Sequence, residues 1–485
     1  MGQINKTLAI FILGYVLIWG VLPLFFYNGF TLDVDTQATF LHIQNLDIKS
    51  LFDDKHPGLT LIVLKILLLI TPSPFFANLL GSSIGMSLAL IYIYKILRFD
   101  HSKDEATLLT ILSSVSIFYV LRYFIEFNQN LVLLPIWIAS VYYFISAFRS
   151  NNTKTWLVLS FVCALGMYAK FQILLIIGAE FLYLLFNYDK KYFKNLIMSS
   201  VVFILLMLPE IIGMMVYTEN FKYMFTQLGT QGHGDNYGFF IVDNNANIVL
   251  RMLAMQVFNA INLLFIGIPV FITLLLLKFK KITFKGFSLS SPLVICGFVP
   301  LIVFFMIQTV NGQLPAGWLI ATMSLTFPAF CNLFGFKITS KINFKKVVIS
   351  VLMIHFIMFA IYNIVTFSNN IILYTNHGNQ VAASANVFWD LHTKSNETNR
   401  NKIYIIDHTG YILRLPPKFH PYSENLNYKG NIIAAYNGCD LDSLSNNLKK
   451  NNFTVIDKQC VPVPYVNKFK RVTHDVAFFI IKKSD

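Results

Sequence analysis

The chain has 485 residues, 55% of them hydrophobic and 13% charged, with a mean hydropathy of +0.59. Soluble domains carry roughly 25% charge, so this composition excludes a string of water-soluble domains over most of the length. The net charge of +14 does not point to nucleic acid either, because the lysines and arginines stand in short clusters between apolar runs, the positive-inside pattern of a membrane protein.

The first apolar run, Leu8 to Tyr27, is longer than the core of a secretory signal, and no small-x-small cleavage site follows it. We read it as a membrane anchor. A spanning helix needs about 20 apolar residues, and further candidates fall near 77–97, 106–123, 130–148, 155–170, 172–187, 195–216, 253–277, 287–309, 315–335 and 347–367. The run from Leu59 to Ile70 is shorter, carries Lys65, and lies between Pro57 and the Pro72/Pro74 pair. If it does not cross, the clusters Lys95/Arg98/Lys103, Arg149/Lys154, Lys190/Lys191/Lys194, Lys278/Lys280/Lys281/Lys285 and Lys337/Lys341/Lys345/Lys346 all share the cytoplasmic side. That rule makes 59–70 an interfacial or re-entrant helix on the external surface and leaves about eleven spans. Residues 1–367 then form a transmembrane domain with long external loops at 28–76 and 217–251, and long loops on one face are where function usually sits.

The first external loop contains Asp33, Asp35, Thr36, Ala38, Thr39, Phe40 and His42, followed by Asp53, Asp54, Lys55, His56, Pro57, Gly58 and Leu59. Taken alone, Asp33 and Asp35 read equally well as caps of a following helix. Further on stand Glu126-Phe127-Asn128 before a span, Gly166-Met167-Tyr168-Ala169-Lys170-Phe171 between two spans, and Pro209-Glu210 before the second external loop.

Taken in order over about the first 220 residues, these motifs resemble the GT-C superfamily of membrane glycosyltransferases. The nearer likeness is to the group of dolichyl-phosphate-mannose protein mannosyltransferases and lipid A aminoarabinose transferases. That group places an Asp-Glu pair and Ala-x-Tyr after the first span, then His-Pro-Pro-Leu; the matching residues here are Asp35-Thr36, Ala38-Thr39-Phe40 and His56-Pro57-Gly58-Leu59. Thr36 stands where the group has Glu and Gly58 where it has a second Pro, so the working pair is either Asp35 with another group or Asp33 with Asp35.

The resemblance implies transfer of a sugar from a polyprenyl-phosphate donor to a lipid, glycan or protein acceptor on the external face of a cell membrane. Such a reaction needs a base for the acceptor hydroxyl, and Asp35 is the candidate. The leaving phosphate needs nearby positive charge, for which Lys55, Arg122, Lys170 and Arg251 are placed, although basic residues near span ends also simply snorkel. Asp33, His56, Glu126 and Glu210 complete the expected substrate-binding set. A divalent metal ion is the one cofactor the resemblance raises; His56, Asp53, Asp54, His233 and Asp235 are donors in the loops, but their spacing is not that of a metal site, and no metal ligand is assigned. The glycine-rich stretch from Gly229 to Gly238 fits a substrate-covering loop or a plain turn cluster. Within the spans, Glu180 and His355 await partners on neighbouring helices.

From 368 to 485 the pattern changes to a small α/β domain, expected outside the membrane. Helices are predicted at 381–392 and 441–450, and strands at 403–406, 432–436, 455–456 and 476–481. Cys439 and Cys460 are the only cysteines in it, and an even pair in an oxidising compartment favours a disulfide. A transporter or flippase of lipid-linked saccharides is the main alternative function. It would place its polar residues along a path through the bilayer midplane, often between inverted repeats, whereas here the carboxylates gather in loops. A non-catalytic receptor or scaffold is the third reading.

Overall fold

A computed structural model describes residues 5–26, 50–53, 58–71, 74–117, 124, 130–217, 267–311, 317–362, 381, 384–385, 387–389, 403–409, 422–425, 427–467 and 470–484. Its contacts divide the chain into a helical unit, built from residues up to Ile357, and a second unit from Met358 onward with which Pro23–Phe26 groups.

The helical unit opens with α1 (Lys6–Val16), continued by a π-helical turn over Leu17–Val21. It goes on through α2 (Ser50–Asp53), α3 (Leu59–Ile70), α4 (Pro74–Leu97), α5 (Lys103–Ser113), α6 (Asn130–Ser150), α7 (Thr153–Ala169), α8 (Leu174–Phe186) and α9 (Phe193–Tyr217). After α10 (Gly267–Lys278) come β1 (Ile282–Phe284), α11 (Pro292–Asn311), α12 (Gly317–Met323), α13 (Thr326–Leu333), β2 (Phe336–Ile338) and α14 (Phe344–Tyr362). Among the described residues five helices are long and apolar enough to cross a membrane alone, those starting at Lys6, Phe76, Asn130, Lys190 and Phe344; the other apolar helices are shorter.

Hydrogen bonds gather the lysine-rich turns at one end of this bundle. Arg149 pairs with Asp100 at 2.5 Å, Asn151 Nδ2 donates to Lys191 O at 2.9 Å, and Tyr183 OH donates to Ser290 O at 2.9 Å. Asn332 Nδ2 reaches both Asp100 and Ser291, and Lys337 pairs with Glu105 at 3.2 Å. The start of α1 belongs to the same end, because Asn5 Nδ2 donates to Thr107 Oγ1 at 3.1 Å. α1 therefore leaves this basic end and α4 returns to it, the arrangement expected if α3 stays at the opposite end. Its length agrees: 12 residues rise about 18 Å, against a hydrocarbon core of about 30 Å. Reporter fusions after Lys103, Lys154, Lys194, Lys285 and Lys346 should all report one compartment, the cytoplasm, and fusions after Asp54 and Gly238 the other. Equal signals from the Lys103 and Gly238 fusions would refute this layout.

His355 has the partners its sequence did not reveal. It is fully buried; its Nδ1 accepts from the Trp19 indole at 3.3 Å and its Nε2 lies 2.8 Å from Ser114 Oγ. An imidazole that accepts at Nδ1 carries its proton at Nε2 when neutral, so Ser114 receives it and passes its own to Ile111 O at 2.6 Å. The chain pins α1, α5 and α14 together inside the bilayer.

The second unit is a five-stranded sheet of β3 (Ile403–Asp407), β4 (Tyr422–Ser423), β5 (Asn431–Asn437), β6 (Phe453–Asn467) and β7 (Lys470–Lys483), in the order β4-β3-β5-β7-β6. β3 pairs parallel with β4 and β5, and β7 lies antiparallel between β5 and β6. α15 (Leu441–Lys450) covers one face with Leu448, while Val381, Ala385 and Phe388 pack on the other. β6 and β7 are longer than predicted. Pro462 and Pro464 fall inside β6, which the sheet accommodates because β6 is an edge strand. Of the predicted 381–392 helix only 381, 384–385 and 387–389 are described, all helical. Cys439 and Cys460 are joined, their Cα atoms 5.6 Å apart.

Glu424, in the turn after β4, is pushed up to about 7 by burial and by the nearby Asp407 charge. A carboxyl raised in the fold binds its proton more tightly there than in the unfolded chain, so it stabilises the domain at low pH and loses that contribution as pH rises from about 4.5 to about 7. Burial holds His408 below its usual range, which acts in the opposite sense. The difference between wild type and Glu424→Gln isolates the carboxyl: hydrogen-exchange protection of β3 and β5 should favour wild type at pH 5 and lose that advantage by pH 8. A pH-independent difference would remove this role.

Candidate functional site

At the end opposite the basic turns, the last residues of α7 meet the first of α6. The chain leaves α7 at Lys170 in an extended conformation and re-enters helix through a 3-10 turn over Phe171–Ile173. Gly166 permits this reversal, because a Cβ there would meet Ile173 at 2.5 Å. Lys170 is buried, and its Nζ donates to Asn130 Oδ1, at the N-terminus of α6, at 3.3 Å. Lys170 is therefore held by side-chain contacts inside the protein and does not snorkel into the headgroups.

α9 borders the same region. Tyr168 OH donates to Leu206 O at 2.7 Å, one turn before Glu210, and three residues beyond Glu210 the helix carries Gly213. A Cβ at Gly213 would lie 2.3 Å from the Phe52 ring of α2, and Phe52 also stacks on Tyr217 at 5.6 Å. Glycine thus lets the last turn of the first loop's α2 lie directly on α9. Glu210 is buried, and its Oε1 has no hydrogen-bond partner among the described residues. A buried carboxyl oxygen left unpaired is costly, and such a group calls for a functional account.

Beside Asn130 begins an apolar cavity of 330 Å³ between α3, α4, α6 and α7. Gly81 and Gly85, one turn apart on α4, open it, and Leu67, Leu131, Ala139 and Val162 line it. Gly81 is also where α3 comes closest, since a Cβ there would lie 2.7 Å from Leu67. A furrow walled by hydrocarbon, with a buried lysine near one end, has the chemistry to hold an apolar chain bearing an anionic head.

Among the residues named from the sequence, Lys170 and Glu210 are thus placed at one end of the bundle. Asp33, Asp35, Lys55, His56, Arg122 and Glu126 lie outside the described residues, as do Arg251, His233, Asp235 and Asp54; of Asp53 only the backbone is described. Among the described residues no cluster of three or more His, Cys, Asp or Glu side chains could hold a metal ion. Glu180 is buried in α8 with one oxygen unpaired among the described residues. Asn130 and the cavity were not found from sequence. An Asn at the start of a span reads as a helix cap, and two glycines one turn apart read as ordinary helix packing.

A family model described as dolichyl-phosphate-mannose-protein mannosyltransferase matches residues 55–212, the segment that holds α3, Lys170 and Glu210. Among solved structures the chain is similar to ArnT from Cupriavidus metallidurans bound to undecaprenyl phosphate, with a TM-score of 0.56 at 11% identity, covering 96% of this chain and 97% of that one. It is similar to the apo state of the same protein with a TM-score of 0.55 at 10% identity and the same coverage. The chain has an ArnT-like fold. The likeness of fold extends over nearly the whole chain, C-terminal sheet domain included, beyond the first 220 residues or so over which the motifs resemble the GT-C enzymes. A search of curated proteins by sequence finds no match.

Proposed function

We propose that this protein is a membrane glycosyltransferase that moves a sugar from a polyprenyl-phosphate donor to a lipid, glycan or protein acceptor outside the cell membrane. The observation that carries the reading is the likeness over nearly the full length to a structure bound to undecaprenyl phosphate. The local geometry agrees with it: the apolar cavity suits the prenyl chain and Lys170 the phosphate. In this reading Asp35 takes the proton of the acceptor hydroxyl as its oxygen attacks the anomeric carbon; the bond from that carbon to the phosphate oxygen breaks, and the charge left on the phosphate is balanced by Lys170 with Lys55, Arg122 or Arg251. Asp33, His56, Glu126 and Glu210 orient the sugar and acceptor.

The experiment is turnover of a purified polyprenyl-phosphate sugar by the protein in detergent, read as release of polyprenyl phosphate in the presence of envelope lipid or glycan acceptors. A flippase would release none in detergent, yet would move the lipid-linked sugar across liposomes; that pair of results would replace the transferase reading.

A further inference from the structure

The turns around β1 and β2 play no part in the proposed transfer, yet they carry a dense cluster of exposed lysines. Lys278, Lys280, Lys281 and Lys285 on the first turn, and Lys341, Lys345 and Lys346 on the second, are all exposed, and among the described residues none of them makes an ion pair. No aspartate or glutamate occurs anywhere from Gly267 to Tyr362. The carboxylates that reach its edge among the described residues are already engaged: Glu105 of α5 accepts from Ser102 N, Lys337 Nζ and Ile338 N, and Asp100, which accepts from Asn332, pairs with Arg149.

The lysines are held in place. β1 pairs antiparallel with β2, and the pairing continues on both sides, from Thr339 N to Lys281 O at 3.0 Å and from Ser288 N to Leu333 O at 2.8 Å. α10 ends in a Schellman turn, with Lys280 N bonded to Leu277 O and Lys281 N to Leu276 O. Its left-handed residue is Lys280, φ 54°, at a position where glycine is the usual choice. Large apolar side chains stand among the charges: Phe279 is 67% exposed, Phe287 63% and Leu289 58%.

We infer that this sheet and its turns form a docking surface for the headgroups of anionic phospholipids in the leaflet around the basic end of the bundle. Charge complementarity favours an anion, and basic clusters just beyond membrane helices attract acidic lipids. The exposed Phe279, Phe287 and Leu289 favour a lipid over a free phosphate or a soluble anionic protein, because they can enter the acyl boundary while the lysine heads stay at headgroup level. The inference stands apart from the proposed transfer and survives if that reading fails.

The test uses the full-length protein taken from vesicles of equal phosphatidylglycerol and phosphatidylcholine, with co-purified lipid counted by mass spectrometry. Wild type should retain phosphatidylglycerol over phosphatidylcholine, and replacing Lys278, Lys280, Lys281 and Lys285 together by Gln should cut that preference by roughly fivefold or more. The same four changed to Arg should keep it, which separates loss of charge from loss of fold. Changing Lys154, Lys190 and Lys194 to Gln, on other turns at the same end, should leave it intact. Equal retention of both lipids by wild type would overturn the inference, as would an equal loss from the second set. Displacement of the retained lipid by inorganic phosphate, beyond that caused by chloride at the same ionic strength, would overturn it in favour of a phosphate site.

Discussion

Asp35→Asn is expected to leave the protein in the membrane at normal abundance while lowering sugar transfer by roughly 10²-fold or more, the scale of a general base. The change keeps the side chain's size and removes its basicity, so an effect on transfer without one on abundance isolates proton abstraction. Asp35 follows the first span and begins the stretch that resembles the GT-C motif. From the interface, a carboxylate there can meet an acceptor hydroxyl from water and a sugar phosphate anchored by its lipid tail. Asp33→Asn should do less unless the two aspartates work as a pair, in which case both variants fall together. If Asp35→Asn keeps full transfer with a purified donor, Asp35 is a helix cap and the base lies elsewhere.

Lys170→Gln should lower turnover by roughly 10²-fold, the cost of losing one fixed donor from a site of developing charge. The side chain is buried and bonded to Asn130 at 3.3 Å, so its charge is positioned before any substrate arrives. Glutamine can still bond Asn130 and fill most of the space, and Lys170→Arg should recover part of the rate. A structural role would instead lower the melting temperature and reduce activity only in proportion to the folded fraction. Wild-type turnover per folded molecule in Lys170→Gln would assign Lys170 to packing alone.

Much of the architecture was legible because membrane proteins encode it coarsely. Five lysine clusters and one short proline-bounded run led to the expectation that α3 does not cross, and the hydrogen bonds from Asn5 to Thr107 and from Arg149 to Asp100 draw turns of those clusters together. What escaped the sequence depends on contacts between distant segments. Nothing near His355 announces Trp19 or Ser114, which lie 336 and 241 residues away. Gly213 in a span looks like tolerance of a small residue, and only the Phe52 ring against it shows close approach. The motifs singled out Lys170 and Glu210, which the fold brings to one end of the bundle, but not the partner at Asn130 or the furrow beside it, because a cavity belongs to four helices at once.

The Cys439–Cys460 bridge also makes the chain its own compartment recorder. The remaining cysteines, Cys163, Cys296 and Cys331, are buried and unbridged in the helical unit, so oxidation can change the thiol count only through the sheet domain. Alkylation of denatured, unreduced protein from intact cells should therefore modify three thiols if that domain matured in an oxidising space, and all five if it stayed in a reducing one. A single mass shift would then report the orientation of the untagged protein.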